Sequence, residues 1–112
     1  MSNNLFLRKL RVRWALSQEE LAQLLDIHQS SVSRYEQGTE YPPLSVALAL
    51  QVIFGRLPHR VFAPLYASVE DQVMGRAAEF EPSVRGRSDP GAAKKRHLLR
   101  SMMERAISRR EA

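Results

Sequence analysis

The 112-residue sequence has no cysteine and no long apolar run. Without cysteine, disulfides and thiolate metal sites are excluded, and the chain suits a reducing cytoplasm, where we expect it to act. Its longest apolar window, residues 46–54, contains Gln51 and is far shorter than the roughly 20 residues that a membrane-spanning helix needs. Basic residues interrupt the N-terminal apolar residues at once, so we expect no secretory signal and no membrane partner.

Signatures of catalysis and of cofactor binding are also missing. The sequence has no Gly-rich phosphate loop, no cluster of metal ligands and no paired nucleophile and base. His28, His59 and His97 share no metal-binding spacing. We therefore expect neither an enzyme nor a bound cofactor or metal.

The charge is basic and unevenly distributed. The formal net charge is +5, which is consistent with a polyanionic partner. Residues 1–62 carry seven Lys/Arg and five Asp/Glu, residues 63–82 one and four, and residues 83–112 nine and three. The corresponding net charges are +2, −3 and +6, so most of the positive charge lies in the last third of the chain.

Residues 16–38 predict two short amphipathic helices joined by a tight turn. Ser17 followed by Glu20 forms a capping box, in which each side chain accepts from the other residue's backbone N–H. The first helix is expected over Gln18–Leu25. Asp26 then occupies the turn, because aspartate tolerates a left-handed backbone better than most residues with a side chain.

The second of these helices is expected over Gln29–Gln37, closed by Gly38, which accepts positive φ without steric cost. Its inner side is apolar, and Tyr35 is expected to pack on the first helix of the domain. Its outer side carries small hydrogen-bonding groups and one cation: Gln29, Ser30, Ser33 and Arg34. A helix of this kind can enter the major groove of DNA and read base edges.

The combination SQEELA…SVSRYEQG…P resembles the Cro/C1-type (XRE-like) helix-turn-helix family of DNA-binding proteins. The similarity covers roughly residues 5–62 and includes LRKLR before the motif and PPLSVALALQVIFG after it. It implies an all-α fold that begins with a five-helix domain. The helices are expected near Asn4–Trp14, Gln18–Leu25, Gln29–Gln37, Leu44–Phe54 and Pro58–Phe62.

The resemblance also implies roles for single residues. Gln18 corresponds to a glutamine that binds a DNA phosphate and braces the recognition helix. Arg11 and Glu36 correspond to a partly buried ion pair between the first helix and the end of the recognition helix. Base contacts are expected from Gln29, Ser30, Ser33 and Arg34, and phosphate contacts from Gln18 and Ser31.

The sequence departs from the family pattern at several positions. Ala15 and Asp26 stand where glycine is usual, and His28 replaces the usual Ser or Thr cap of the recognition helix. The loop of residues 39–43, often basic, contains Glu40, whose carboxylate would repel phosphates. Trp14 follows apolar residues at helical spacing and is expected in the core.

The rest of the chain, residues 64–112, is expected to form a helical extension to the domain of residues 1–63. Its apolar spacing predicts a helix over residues 64–80, a loop over 82–92 and a basic amphipathic helix over 92–109. That last helix either packs on its own domain or contacts a second copy. Its apolar stripe is formed by Leu98, Leu99, Met102, Met103, Ala106 and Ile107.

Two functions fit these features. The leading hypothesis is a sequence-specific regulator of transcription that binds double-stranded DNA. We expect a repressor whose homodimer reads a palindrome with half-sites roughly 34 Å apart. The alternative is an antitoxin or another protein-interaction module, which captures a protein partner through residues 63–112.

Overall fold

A computed structural model describes the backbone of residues 5–111 and the side chains of residues 6–110. Within this range there is no strand, and the all-α fold class is confirmed. The helices are α1 (Leu5–Arg13), α2 (Gln18–Leu25), α3 (Gln29–Gln37), α4 (Leu44–Phe54), α5 (Pro58–Val61), α6 (Ala63–Phe80) and α7 (Pro90–Glu111). A short 3-10 turn, Glu81–Ser83, follows α6. Asn4, included in the predicted first helix, lies outside the described residues.

Helix α2 begins and ends at the predicted residues. The Ser17 hydroxyl accepts from the Glu20 N–H over 3.0 Å, and the Glu20 carboxylate accepts from the Ser17 N–H over 2.9 Å. Both halves of the capping box are therefore present. At the other end Asp26 has φ 55°, the left-handed conformation that stops the helix and starts the turn.

Helix α3 also has the predicted bounds, although its N-terminus is capped weakly. His28 takes the extended conformation of an N-cap but makes no side-chain hydrogen bond to the helix. At the C-terminus Gly38 has φ 75°, and the backbone closes the last turn onto the carbonyls of Arg34 and Tyr35.

The described chain divides into two compact units between Tyr66 and Ala67, within helix α6. The first unit contains α1–α5 around one apolar core, and α3 packs against both α1 and α2. Burial of one Leu or Val side chain stabilises a fold by about 1.5–3 kcal/mol. The core consists of Leu7, Leu10, Leu21, Ala22, Leu25, Val32, Tyr35, Val46, Leu50, Val61 and Phe62.

The prediction that Trp14 lies in the core is wrong. Helix α1 ends at Arg13, one residue earlier than predicted, so Trp14 lies in the turn and is 63% exposed. The Arg13 guanidinium carbon lies 6.0 Å from the centroid of the indole ring. Ala15, in the same turn, has φ 57°, a conformation that is strained for a residue with a side chain.

The second unit contains most of α6 together with α7. Helix α7 begins at Pro90, two residues before the predicted start. The reason is that Asp89 Oδ2 accepts from the Ala92 N–H over 3.0 Å, while proline suits the first helical turn. At the other end of α7, Arg109 Nε donates to Glu70 Oε2 over 2.9 Å and ties the helix to α6.

In the part of the chain that the structure describes, no helix has both the length and the apolar character needed to cross a bilayer.

Candidate nucleic-acid interface

Helix α3 separates its polar and apolar residues onto opposite sides. Val32, Tyr35 and Glu36 are buried against the rest of the first unit. Gln29, Ser30 and Arg34 are exposed, and Ser31 and Ser33 are partly exposed. The side chains predicted to contact bases therefore lie on the surface of one short helix, where a duplex can reach them.

A buried carboxylate holds α3 against α1. Glu36 Oε2 accepts from Arg11 Nε over 2.7 Å, and Glu36 Oε1 accepts from Arg11 Nη2 over 3.1 Å. The two side chains are 12% and 6% exposed, with Arg11 the more exposed. A two-point pair of this kind fixes both the distance and the orientation of the two groups. It therefore sets the position of α3 within the unit.

Gln18 connects this buried pair to the recognition helix. Its amide nitrogen donates to Glu36 Oε1 over 3.2 Å, and its amide oxygen accepts from Gln29 Nε2 over 3.3 Å. Because the Glu36 carboxylate can only accept, Gln18 must turn its nitrogen toward Glu36 and its oxygen toward Gln29. The buried charge thus determines how the exposed amide of Gln29 is oriented.

Gln29 keeps one donor and one acceptor for a ligand. Its Nε2 carries two hydrogens, of which Gln18 takes one, and its Oε1 accepts no hydrogen bond from the described residues. One donor beside one acceptor matches adenine in the major groove, which presents N7 as an acceptor and N6 as a donor. The braced amide is therefore suited to contact adenine.

Arg34 is exposed, but its side chain donates hydrogen bonds to two neighbours on its own chain. Its Nε donates to Glu40 Oε2 over 2.6 Å, and its Nη2 donates to Ser31 Oγ over 3.2 Å. Ser31, predicted to contact a phosphate, therefore lies beside Arg34 and accepts from it. The side chains of Arg34 and Glu40 are 47% and 48% exposed, so the pair lies on the surface.

The two remaining serines differ in their surroundings. Ser33 Oγ accepts from Gln37 Nε2 over 3.2 Å, one turn further along α3. Ser30 makes no side-chain hydrogen bond to the described part of the chain and is exposed near the first turn of the helix. Both hydroxyls lie on the same helix as Gln29 and Arg34, but only Ser30 has its full hydrogen-bonding capacity available.

Charges at this surface also affect a buried neighbour. Burial raises the pKa of the Tyr35 phenol above its usual 10.0. The Glu40 carboxylate raises this pKa further, whereas Arg34 lowers it. The Tyr35 phenol, the Arg34 guanidinium and the Glu40 carboxylate therefore interact electrostatically at the end of α3.

The sequence alone did not predict the ion pair between Arg34 and Glu40. The loop composition indicated only that a carboxylate would oppose phosphates. The spacing of six residues between Arg34 and Glu40 does not itself predict contact, because that contact requires the turn after Gly38 to bring the loop back over the helix.

These features define a class of protein: a helix-turn-helix domain with a braced, outward-facing recognition helix. Comparison with protein families agrees, because residues 5–61 match the model of the helix-turn-helix domain family. The chain belongs to this family, within its Cro/C1-type (XRE-like) class. No curated protein and no solved structure matched the chain. The domain is one by which regulators bind DNA.

Proposed function

We propose that the protein is a sequence-specific repressor of transcription that binds a palindromic operator in double-stranded DNA as a homodimer. The observation that carries this proposal is the exposed amide of Gln29, which Gln18 and Glu36 hold in one orientation. A preoriented donor and acceptor on an outward helix discriminate between bases, whereas a freely rotating side chain discriminates less. Bound over a promoter in the cytoplasm, the dimer would block transcription.

The direct test begins with selection of duplexes from random DNA by the full-length protein. We expect an enriched palindrome whose half-sites are centred about 10 base pairs, or a multiple of one helical turn, apart. Binding to the enriched duplex is then measured at several salt concentrations. Because phosphate neutralisation releases counterions, affinity falls steeply with salt.

Gln29→Ala tests whether this residue reads sequence. We expect the variant to lose about 1–3 kcal/mol of binding free energy on the operator and little on random duplexes. Gln23→Ala is the matched control, because Gln23 is an exposed glutamine on α2. If Gln29→Ala lost the same binding free energy on the operator and on random duplexes, a role for Gln29 in base recognition would be contradicted.

Exposed apolar side chains in the second unit support the homodimer. Helix α6 has no buried residue, and the buried apolar residues of α7 are the small Ala92 and Ala106, so the larger apolar side chains of both helices have little core of their own. An amphipathic helix requires a partner for such a surface. The largest apolar side chains left exposed there are Val69, Val73, Phe80, Leu98, Met103 and Ile107.

Light scattering at micromolar concentration tests this association. We expect a species of twice the 12.8 kDa chain mass, reduced to one chain by Leu98→Glu or Ile107→Glu. A species of single-chain mass, both with and without operator DNA, would contradict the homodimer.

A second candidate function, an antitoxin-like capture of another protein, is favoured by the same exposed apolar side chains of α6 and α7. It differs from the first in one measurable respect. A protein partner that binds the wild-type chain, but not the Leu98→Glu variant, would support it, whereas a homodimer that acts only on DNA predicts no such partner.

A further inference from the structure

Arg34 donates hydrogen bonds to its own chain along one edge of its guanidinium group. Nε donates to Glu40 and Nη2 donates to Ser31. These two nitrogens lie side by side on the same edge of the planar group, which carries five N–H donors in a fixed fork. Nη1 donates to no acceptor in the part of the chain that the structure describes, so the end edge formed by Nη1 and Nη2 keeps its donors available.

The turn after α3 holds Glu40 beside Arg34. The Thr39 N–H donates to the Arg34 carbonyl oxygen over 3.1 Å, and the Thr39 hydroxyl donates to the same oxygen over 3.3 Å. These two bonds fix the chain after Gly38 against the last turn of the helix. Glu40, the next residue, is therefore placed beside the Arg34 side chain by the backbone and not only by charge attraction.

We infer that Arg34 reads a guanine through its Nη1–Nη2 edge, with Glu40 and Ser31 as its positioning residues. This inference rests on the proposed function and deepens it by naming a base. Guanine presents two acceptors, O6 and N7, in the major groove, and the end edge of a guanidinium can donate to both. A phosphate is a less suitable partner, because it would approach a surface that already holds the Glu40 carboxylate.

The first experiment modifies the DNA. Each guanine of the operator enriched by the full-length protein is replaced in turn by 7-deazaguanine, which lacks the N7 acceptor. In a parallel series each is replaced by inosine, which keeps both O6 and N7. At one guanine in each half-site we expect 7-deazaguanine to weaken binding roughly 10-fold, with a change of less than about threefold for inosine.

The second experiment repeats these measurements with variants. Arg34→Ala is expected to abolish the 7-deazaguanine effect at that position. Glu40→Ala is expected to reduce it severalfold while raising affinity for random duplexes, because the freed Arg34 can then bind phosphates. Glu19→Ala is the matched control: it removes an exposed carboxylate from the first turn of α2 and leaves the 7-deazaguanine effect unchanged.

Salt dependence separates a base contact from a phosphate contact. The double variant Arg34→Ala/Glu40→Ala removes the pair together, so that no unpaired carboxylate is left behind. If Arg34 contacts a base, the slope of log affinity against log salt stays unchanged in this variant. A phosphate contact would instead reduce the magnitude of the slope by about 0.9.

Three results would overturn the inference. One is that 7-deazaguanine weakens the binding of Glu40→Ala as much as it weakens the binding of the wild-type protein, since Glu40 would then not position Arg34. Another is a loss of affinity in Arg34→Ala that is equal on operator and random DNA, together with a reduced slope of log affinity against log salt. The third is an operator that Gln29 reads but in which no guanine depends on Arg34. Failure to enrich any duplex would overturn the proposed function itself, and this inference with it.

Discussion

The two units of the chain differ in the interactions that stabilise each of them internally. In the α1–α5 unit, Leu7, Leu21 and Leu50 are completely or almost completely buried in a common core. In the α6–α7 unit the buried apolar residues are the smaller Val84, Ala92 and Ala106. There, ion pairs of Glu70 and Asp71 with Arg109 and Arg110 join the two helices. Large apolar side chains remain exposed in both units.

This difference indicates where each unit obtains its stability. Apolar burial contributes roughly 25 cal/mol per Å², whereas an exposed ion pair contributes about 0–1 kcal/mol. The α1–α5 unit therefore has a large apolar core within one chain, although Leu44 and Val52 on its surface are 72% and 85% exposed. The α6–α7 unit buries little apolar surface of its own, so association with another surface, as in the proposed homodimer, would add proportionally more to its stability.

The difference in how the two units are stabilised is tested most strongly by breaking one ion pair in each unit. Glu36→Ala leaves the partly buried Arg11 without its carboxylate partner and is expected to cost about 3–5 kcal/mol of the free energy of unfolding. Urea unfolding followed by circular dichroism, together with amide hydrogen exchange of α2 and α3, measures this loss.

Glu70→Ala is the counterpart in the second unit. Its partner Arg109 is 35% exposed, so water can replace the lost contact. We expect amide exchange to accelerate at the adjoining ends of α6 and α7 while α2 and α3 keep wild-type protection. Equal destabilisation of both units by either variant would show that the two units are not stabilised separately.

A second pair of variants compares apolar contacts. Leu50→Ala leaves a cavity in the α1–α5 core and is expected to cost about 2–5 kcal/mol, measured by urea unfolding. Leu98 is 55% exposed, so Leu98→Ala is expected to change the stability of the single chain by less than about 0.5 kcal/mol. At concentrations where the homodimer forms, the same variant also weakens association. A large loss of unfolding free energy in Leu98→Ala, at concentrations too low for the homodimer to form, would show that Leu98 already packs within its own chain.

Acid titration tests the ion pair between Glu70 and Arg109 in the second unit. Hydrogen bonding to Arg109 lowers the pKa of Glu70 below its usual 4.5. A lowered folded-state pKa means that the stabilisation is fully present above pH 4.5 and is lost as the pH falls further, through the folded-state value. Carbon-13 NMR of the side-chain carboxyls is expected to show Glu70 titrating below the glutamates of the urea-unfolded chain. Arg109→Ala is the control, and an unchanged Glu70 titration in that variant would contradict the assigned cause.

The smallest expected effect concerns the backbone of the first unit. Ala15 and Asp26 both have positive φ, but alanine tolerates this conformation less well than aspartate. Ala15→Gly relieves strain of about 1–2 kcal/mol, partly offset by the greater freedom of glycine in the unfolded chain. We expect a small net rise in melting temperature for Ala15→Gly and a smaller change for Asp26→Gly. A fall for Ala15→Gly would show that the alanine methyl group makes a compensating contact.

The sequence predicted best the elements whose ends are determined locally. Ser17 and Glu20 define the start of α2, and Gly38 defines the end of α3, because each acts through backbone groups only a few residues away. The sequence predicts the start of α7 two residues late, because Asp89-Pro90-Gly91 is typical of a segment that breaks a helix. In the structure Asp89 instead caps the helix.

Features that depend on the path of the chain were less predictable. Trp14 has the spacing of a core residue, but α1 ends just before it and the ring points to the surface. At the candidate site the resemblance implied a role for Gln29. The pairing of Arg34 with Glu40 required the fold of the loop, because it joins residues whose separation in sequence matches no helical period.

The hydrogen bond between Gln18 and Gln29 has a consequence for how operator preference changes over evolutionary time. A substitution at Gln29 that suits a new base leaves Gln18 Oε1 without its donor, so the benefit of the new contact is partly offset. The effect of a mutation at either position therefore depends on which residue occupies the other position. We expect libraries randomised at both positions to yield operator preferences that neither single-site library contains.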